Sequence, residues 1–266
     1  MEQNLVFDIG LHRGEDSEFY LKKGFDVVGV EANSALCEEV SDRFQAEIKS
    51  GQLRIINKAV AHQLGVVKFY ANSEYSVWST TNPEWAERNR RNGSDSLECE
   101  VEATTMAALI AEFGTPYYMK IDVEGSDLLA VEGLSHVTDQ PKYLSIESEK
   151  DSFRGLRREF SVLNSLGYNQ FNVVNQPNVV RQRPPSPAKE GRYVSHQFQF
   201  GSSGLFGEEL PGPWLTADEA IEFYRPIFLR YALCGDDPFL RSRLFRAVLR
   251  RIGFAAGWYD THARRK

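Results

Sequence analysis

Residues 5–31 constrain the fold of this chain more than any other stretch. A short apolar run at 5–9 ends at Gly10, which is typical of a strand buried in a parallel sheet. A glycine-flanked helical segment and a second apolar strand at 27–30 follow, and Glu31 closes that strand. This order predicts a strand–helix–strand unit that binds a nucleotide at the turn after its first strand.

The turn and the acid indicate which kind of nucleotide binds. A strand-to-helix turn directs unpaired backbone N–H groups and the positive end of a helix dipole at an anion. Glu31 lies about twenty residues after Gly10, where an acidic residue holds the hydroxyls of a ribose. The loop reads G-L-H-R-G, with His12 where the dinucleotide motif has its middle glycine. Because that glycine lets a pyrophosphate approach closely, we expect a nucleoside with a small amino-acid tail, such as S-adenosylmethionine.

Strand and helix patterns alternate along most of the chain. The alternation predicts an α/β fold with a mostly parallel, doubly wound sheet. A predicted strand pair at 66–70 and 75–79 departs from it and precedes exposed helix or loop at 83–93. The other predicted strands lie at 53–60, 117–121, 143–147, 170–174 and 195–200.

Acidic residues close two of these strands, with Asp122 and Glu124 after one and Glu147 and Glu149 at the end of the next. Carboxyl ends of parallel strands meet at one sheet edge, so we expect these acids beside Gly10. Three interpretations stay open. Asp122 or Glu124 is a general base; or Asp122, Glu147 and Glu149 hold a divalent metal, Mg²⁺ being the natural candidate; or the acids only cap helices and contact the cofactor.

Composition limits the partners of the chain. The 266 residues carry a net charge of −6, which disfavours nucleic acid as a partner and leaves a small-molecule or glycan acceptor. Three cysteines without a C-x-x-C pair, and a start without an apolar signal core, predict a cytoplasmic protein. No apolar run is long enough to span a membrane.

The composition changes near residue 200, where a Gly/Ser/Pro-rich stretch begins. We therefore predict a cofactor-binding domain at 1–200 and a C-terminal helical cap at 201–266, which is too short to bury much core alone. Within the cap, His262 has aromatic and acidic neighbours. One hypothesis is that residues 257–266 fold over the acceptor, and the alternative is a poorly ordered terminus.

Two segments carry a resemblance to a known family. DIGLHRGED with VGVEAN, and TTMAALIAEFGTPYYMKIDVEGSD, resemble the FkbM-type methyltransferases, which are class I enzymes that use S-adenosylmethionine. K-I-D-V-E-G after a T-x-x-x-L-I helix is the more specific part, and the resemblance covers about 5–200. It implies a Rossmann-like, mostly parallel seven-stranded sheet with an antiparallel final hairpin. It also implies O-methylation of a sugar, glycan or secondary metabolite.

The resemblance also implies roles for individual residues. Asp122 would lie beside the reactive methyl group, and Glu31 would hold the ribose. The implied cofactor-binding set is Asp8, Gly10, His12, Gly14, Glu31, Ala32, Asn33, Ala59 and Asp122, with the contacts of His12 left open. An NAD-dependent oxidoreductase and a non-catalytic cofactor-binding protein remain the alternatives, since a strand–helix–strand unit with Glu31 suits either.

Aromatic and histidine residues give weaker indications. Tyr75, Trp78 and Trp85 either line an acceptor groove or pack ordinarily. His12 is either a base or a solvated loop residue, and His196 is expected to be structural.

Overall fold

The computed structural model describes residues 2–150, 152–234 and 257–266 of the protein. Its strands, numbered in chain order, are β1 (Glu2–Ile9), β2 (Asp26–Val30), β3 (Leu53–Ile56), β4 (Ala59–Val60), β5 (Gly65–Asn72), β6 (Ser96–Thr104), β7 (Pro116–Ile121), β8 (Tyr143–Glu147), β9 (Gln170–Asn175) and β10 (Tyr259–Arg264). The helices are α1 (Glu15–Lys22), α2 (Ser34–Arg43), α3 (Gln45–Ser50), α4 (Pro83–Arg91), α5 (Met106–Phe113), α6 (Asp127–Gly133), α7 (Phe153–Ser165) and α8 (Ala217–Cys234).

The main sheet has seven strands in the order β3-β2-β1-β7-β8-β10-β9. The neighbours from β3 to β8 pair in parallel, and β10 runs antiparallel to both β8 and β9. The predicted mostly parallel seven-stranded sheet with an antiparallel final hairpin is thus confirmed. The order reverses between β1 and β7, and ligands of such sheets bind beyond the carboxyl ends of the strands at that switch point.

Helices cover both faces of this sheet. Val6 and Phe7 of β1 point to opposite faces, and both are fully buried. Phe7 packs in a cluster with residues of α5, α6, α7 and α8, whereas Val6 packs in a second cluster with Phe19 of α1, Val40 of α2 and the Leu205–Phe206 segment. Burial on both faces explains the continuous apolar runs that predicted β1 and β2.

The predicted final strand at 195–200 is wrong, because the last strand of the sheet is β10. Alternating apolar residues in 195–200 imitate a strand, but Phe198 packs edge to face on Phe19 and the segment has no ladder partner. β10 carries mixed polar residues, and two of them are hydrogen-bonded inside the fold: Gln176 donates to Asp260, and Thr261 bonds Ser148. The segment 201–266 therefore supplies a central strand as well as the expected helix, here α8.

The hypothesis that residues 257–266 cover the acceptor is corrected by the same finding. His262 is fully buried within β10, away from the sheet edge, and burial lowers its pKa to about 3. The arginine-rich stretch at 239–251 lies outside the described residues.

A second sheet of three strands, β4-β6-β5, also departs from expectation. β5 pairs antiparallel with β6 and not with residues 75–79, which contain a 3-10 turn at Ser76–Trp78. Residues 73–95, called here the β5–β6 insert, contain this turn and α4. Within the described ranges, no helix is both long and apolar enough to cross a membrane.

Candidate active site

Glu31 occupies the position where β2 ends, and the backbone holds its carboxylate. The N–H of His12 donates to Oε2 at 2.9 Å, and the N–H of Asn33 donates to Oε1 at 2.8 Å. Burial raises the pKa of Glu31 although both hydrogen bonds favour the charged form. Each carboxylate oxygen retains a lone pair, so Glu31 is oriented to accept hydrogen bonds from two neighbouring hydroxyl groups.

Gly10 lets β1 and β7 end at the same point. Its φ of 87° is in the left-handed region, and a Cβ there would lie 1.8 Å from the carbonyl oxygen of Asp122. The N–H of Asp122 donates to Ile9 at 2.8 Å, which fixes this crossing. The glycine is therefore needed for a close approach of two backbones, and the approach brings Asp122 to the turn that precedes α1.

Lys120 is a buried cation beneath this turn. Its Nζ lies 3.1 Å from Asp8, 3.6 Å from Asp16 and 3.8 Å from Asp122, and it donates to the carbonyl of Gly10 at 3.0 Å. Burial opposes the charge, but the three carboxylates raise the pKa of Lys120 well above its ordinary value. The ammonium group thus connects the ends of β1 and β7.

Three carboxylates meet at the ends of β7 and β8. Oxygens of Asp122, Glu124 and Glu147 all lie within 4.8 Å of one another. Burial and then the charges of Glu147 and Asp122 raise the pKa of Glu124 well above its ordinary value. Both causes favour the protonated form of Glu124, which offers an O–H donor.

The structure corrects the predicted metal set, since Glu124 and not Glu149 groups with Asp122 and Glu147. Lys150 donates to Glu147 at 2.6 Å and already supplies positive charge at this group. Nothing further supports Mg²⁺ at this position.

The β5–β6 insert is fastened to the loop that carries these acids. Thr80 Oγ1 donates to the carbonyl of Glu124 at 2.6 Å, and Asn82 Nδ2 donates to the carbonyl of Gly125 at 3.2 Å. Glu124 has a φ of 46°, which is unusual for a residue with a side chain. These two bonds stabilise its strained backbone and fix one wall of the cavity above the sheet edge.

His12 joins the insert to the turn after β1. Its Nε2 lies 2.8 Å from Ser76 Oγ, and its Nδ1 lies 3.2 Å from Glu15. Because Glu15 accepts only, Nδ1 carries the hydrogen and Nε2 bonds the serine. Both ring nitrogens are thus engaged in positioning, which argues against His12 as a base.

One cavity connects these parts. Of the predicted residues, its lining includes Gly10, His12, Glu31, Ala32, Ala59, Asp122 and Glu124. Asp8, Gly14 and Asn33 lie behind the lining and support it: Asp8 pairs with Lys120, Gly14 packs on Phe44, and Asn33 caps α2 through the N–H of Ala35.

Several lining residues were not predicted from the sequence. Lys120 could have been predicted, because a lysine inside an apolar strand needs buried carboxylates. No local sequence pattern pointed to Ser76, Thr80 or Phe200, because each reaches the cavity only through the path of a loop. Neither Trp78 nor Trp85 is in the lining, although Val77 is.

The fold and the site define a doubly wound α/β protein with a backbone-held carboxylate at the end of β2 and further acids at the end of β7. Comparison with known families agrees: the methyltransferase FkbM domain matches residues 8–170, more than half of the chain. The protein belongs to the FkbM methyltransferase family, with the class I fold that the sequence predicted. Membership implies S-adenosylmethionine as methyl donor and disfavours the oxidoreductase alternative.

Solved structures give distant likenesses. The methyltransferase FkbM from Methylobacillus flagellatus KT is 17% identical with a TM-score of 0.44, and the match covers 64% of this chain but only 40% of that chain. Precorrin-6y C5,15-methyltransferase from Geobacter metallireducens GS-15 is 8% identical with a TM-score of 0.40, over 99% of this chain and 80% of that one. A SAM dependent methyltransferase from Archaeoglobus fulgidus is 10% identical with a TM-score of 0.38, over 99% and 87%. No curated protein matches the chain.

Proposed function

We propose that this protein transfers a methyl group from S-adenosylmethionine to a hydroxyl group of a sugar, glycan or secondary metabolite. The observation that carries the proposal is the arrangement of carboxylates around one cavity. Glu31 is held by two backbone N–H groups at the end of β2, and Asp122 with Glu124 lies at the end of β7.

The residues present suit the donor. The free lone pairs of Glu31 suit the ribose hydroxyls, and Ala32 and Ala59 leave room for a flat base beside them. The start of α1 and the turn at Gly10 suit the carboxylate of the amino-acid tail. When bound, the donor supplies an electrophilic methyl group on a positively charged sulfur.

In this proposal Asp122 is the general base. Its side chain is 39% exposed and lines the cavity, and Lys120 holds it from behind at 3.8 Å. As the acceptor oxygen forms its bond to the methyl carbon, Asp122 takes the hydroxyl proton, and the bond from carbon to sulfur breaks. Glu124, whose pKa is raised by burial, donates a hydrogen bond to the acceptor in its protonated form and leaves the base role to Asp122.

Alignment supplies the rest of the rate. An in-line displacement gains about 7 to 11 kcal/mol from correct orientation of the reactants. The fastened insert, with Thr80 bonded to the Glu124 carbonyl, provides the fixed wall against which an acceptor is oriented.

Binding of S-adenosylhomocysteine, measured by calorimetry with NAD as a parallel control, tests the cofactor. A screen of glycoside and polyol acceptors then tests the reaction. Asp122→Asn should lower kcat by about 10²- to 10⁴-fold. Glu98→Gln, which changes an exposed carboxylate on β6 that pairs with Lys68, should leave it unchanged. Full activity in Asp122→Asn would refute the base assignment, and binding of NAD alone would refute the donor.

A further inference from the structure

Trp85 of α4 lies beside the carboxylates of the proposed acceptor site, where it meets two cations. The Cζ of Arg88 is 3.9 Å from the centroid of the Trp85 ring, and the Nζ of Lys150 is 5.5 Å from it. Burial lowers the pKa of Lys150, but the charge of Glu147 and its hydrogen bond raise it above its ordinary value, and the like charge of Arg88 opposes that rise. We call Trp85, Arg88 and Lys150 the cationic corner.

The corner packs against the loop that carries Glu124, and its three residues are not among those that line the cavity. The backbone of Gly125 packs on the Trp85 ring so closely that a Cβ there would lie 2.6 Å from it. Asn82, the N-cap of α4, bonds the Gly125 carbonyl. The helix that carries Arg88 is therefore fixed against the loop that carries Glu124.

In the part of the chain that the structure describes, the two cations of the corner share one ion-paired carboxylate. Lys150 pairs with Glu147, and burial raises the pKa of the nearby Glu124 well above its ordinary value. Among residues 2–150, 152–234 and 257–266, no carboxylate forms an ion pair with Arg88, and its buried Nε has no hydrogen-bond acceptor. A buried donor without an acceptor costs about 1 to 3 kcal/mol, so the corner suits a ligand that brings acceptor oxygens.

A neighbouring arginine shows the contrast. Arg90, two residues along α4, is exposed and donates two bonds to Glu87 at 2.9 Å. Arg90 is thus an ordinary surface ion pair, whereas Arg88 is half-buried and stacked on an indole ring.

We propose that Arg88 and Lys150 bind an anionic group of the methyl acceptor, such as a carboxylate, a sulfate ester or a phosphate ester. This inference rests on the proposed function, because it places the acceptor at the carboxylates near the ends of β7 and β8. A planar guanidinium pairs with two oxygens of such a group, and the ammonium of Lys150 has donors left after bonding Glu147.

The position suits orientation of the acceptor. Lys150 bonds Glu147, whose carboxylate oxygen lies within 4.8 Å of that of Asp122. The ribose carboxylate Glu31 lies at β2, separated from β8 by β1 and β7. An acceptor anchored at the corner therefore presents its hydroxyl to Asp122 while its anionic group stays away from the ribose end.

A direct binding test uses inorganic sulfate as probe. Sulfate is titrated by calorimetry into the full-length protein saturated with S-adenosylhomocysteine, for the wild type, Arg88→Gln and Arg90→Gln. Loss of a charged hydrogen bond predicts about tenfold to a hundredfold weaker sulfate binding in Arg88→Gln and no change in Arg90→Gln. Arg88→Lys keeps the charge without the paired donors and should be intermediate. Binding of S-adenosylhomocysteine shows that each variant is folded.

A second test uses acceptors that share one ring and differ in charge: a glucoside, the matching glucuronide, a glucose phosphate and a glucose sulfate. The wild type should favour the charged acceptors in kcat/KM, and their ranking identifies the anionic group. Arg88→Gln should reduce that preference about tenfold to a hundredfold, whereas Arg90→Gln should leave it unchanged.

The outcomes separate the two proposals. Sulfate binding that is absent in the wild type, or equal in Arg88→Gln and Arg90→Gln, overturns the cationic corner as an anion site. Charged acceptors methylated with the same kcat/KM by Arg88→Gln as by the wild type also overturn it, while O-methylation stands. Sulfate binding that depends on Arg88, with no hydroxyl acceptor methylated, supports the corner and overturns O-methylation.

Discussion

Lys120→Met removes the buried cation that joins β1 to β7, and its effect on stability follows from the contacts of the ammonium group. Lys120 and Asp8 are both almost fully buried, at 3.1 Å from each other, and Asp16 lies at 3.6 Å. Removing one partner of a buried pair leaves an uncompensated charge and costs about 3 to 5 kcal/mol. For a chain of this size we expect the Tm to fall by roughly 10 °C.

The pH dependence of this loss has a definite sign. Burial already raises the pKa of Asp16 to about 6, against the opposing effect of Lys120. Without the cation, the folded-state pKa of Asp16 rises further above its unfolded value. A carboxyl group shifted in this direction stabilises the fold below its unfolded pKa and loses that contribution as pH rises through its folded pKa. The loss of folding stability caused by Lys120→Met is therefore larger at pH 8 than at pH 5.

Differential scanning fluorimetry and urea unfolding at both pH values measure the effect. Lys68→Met is the matched control, since Lys68 forms an exposed pair with Glu98 on the second sheet and should show no measurable change. A wild-type Tm for Lys120→Met at pH 8, or a deficit that grows as pH falls, would refute the reasoning.

Three other residues give predictions of a different kind. His12→Ala and Ser76→Ala should each speed dissociation of S-adenosylhomocysteine several-fold by stopped flow. The double variant should do no more than His12→Ala, because the bond of 2.8 Å between the two side chains is lost in all three variants; additive effects would contradict the link. Burial raises the pKa of Glu159 to about 8, so its stabilising contribution is complete below pH 4 and is lost as pH rises through about 8. In urea titrations Glu159→Gln should therefore be more stable than the wild type at pH 9 and less dependent on pH; equal slopes for the two proteins would show that Glu159 does not titrate in this way.

The comparison of β1 with β10 shows which strands a sequence can predict. β1 is an apolar run closed by Gly10, and the local signal suffices because both faces are covered by apolar helix residues. β10 contains Asp260, Thr261 and His262, which local patterns assign to loops. Its burial depends on partners more than eighty residues away, such as Gln176, so only the assembled sheet reveals it.

For the carboxylates of the site, too, some features follow from the sequence and others only from the structure. The sequence by itself determined Gly10, Glu31 and Asp122, because each follows a recognisable strand, and the carboxyl ends of parallel strands must meet at one edge. It also contained the family motif that the domain match confirmed. These features are local in sequence and repeat in every unit of a doubly wound sheet.

Only the tertiary structure decided what surrounds them. The β5–β6 insert reaches the cavity through hydrogen bonds of Thr80 and Asn82 to backbone carbonyls, which side-chain patterns do not encode. The raised pKa of Glu124 arises from burial beside Glu147 of another strand, and the meeting of Arg88 with Lys150 arises from α4 packing on Gly125. Charge states and long-range contacts depend on the distances between distant segments, and folding alone sets those distances.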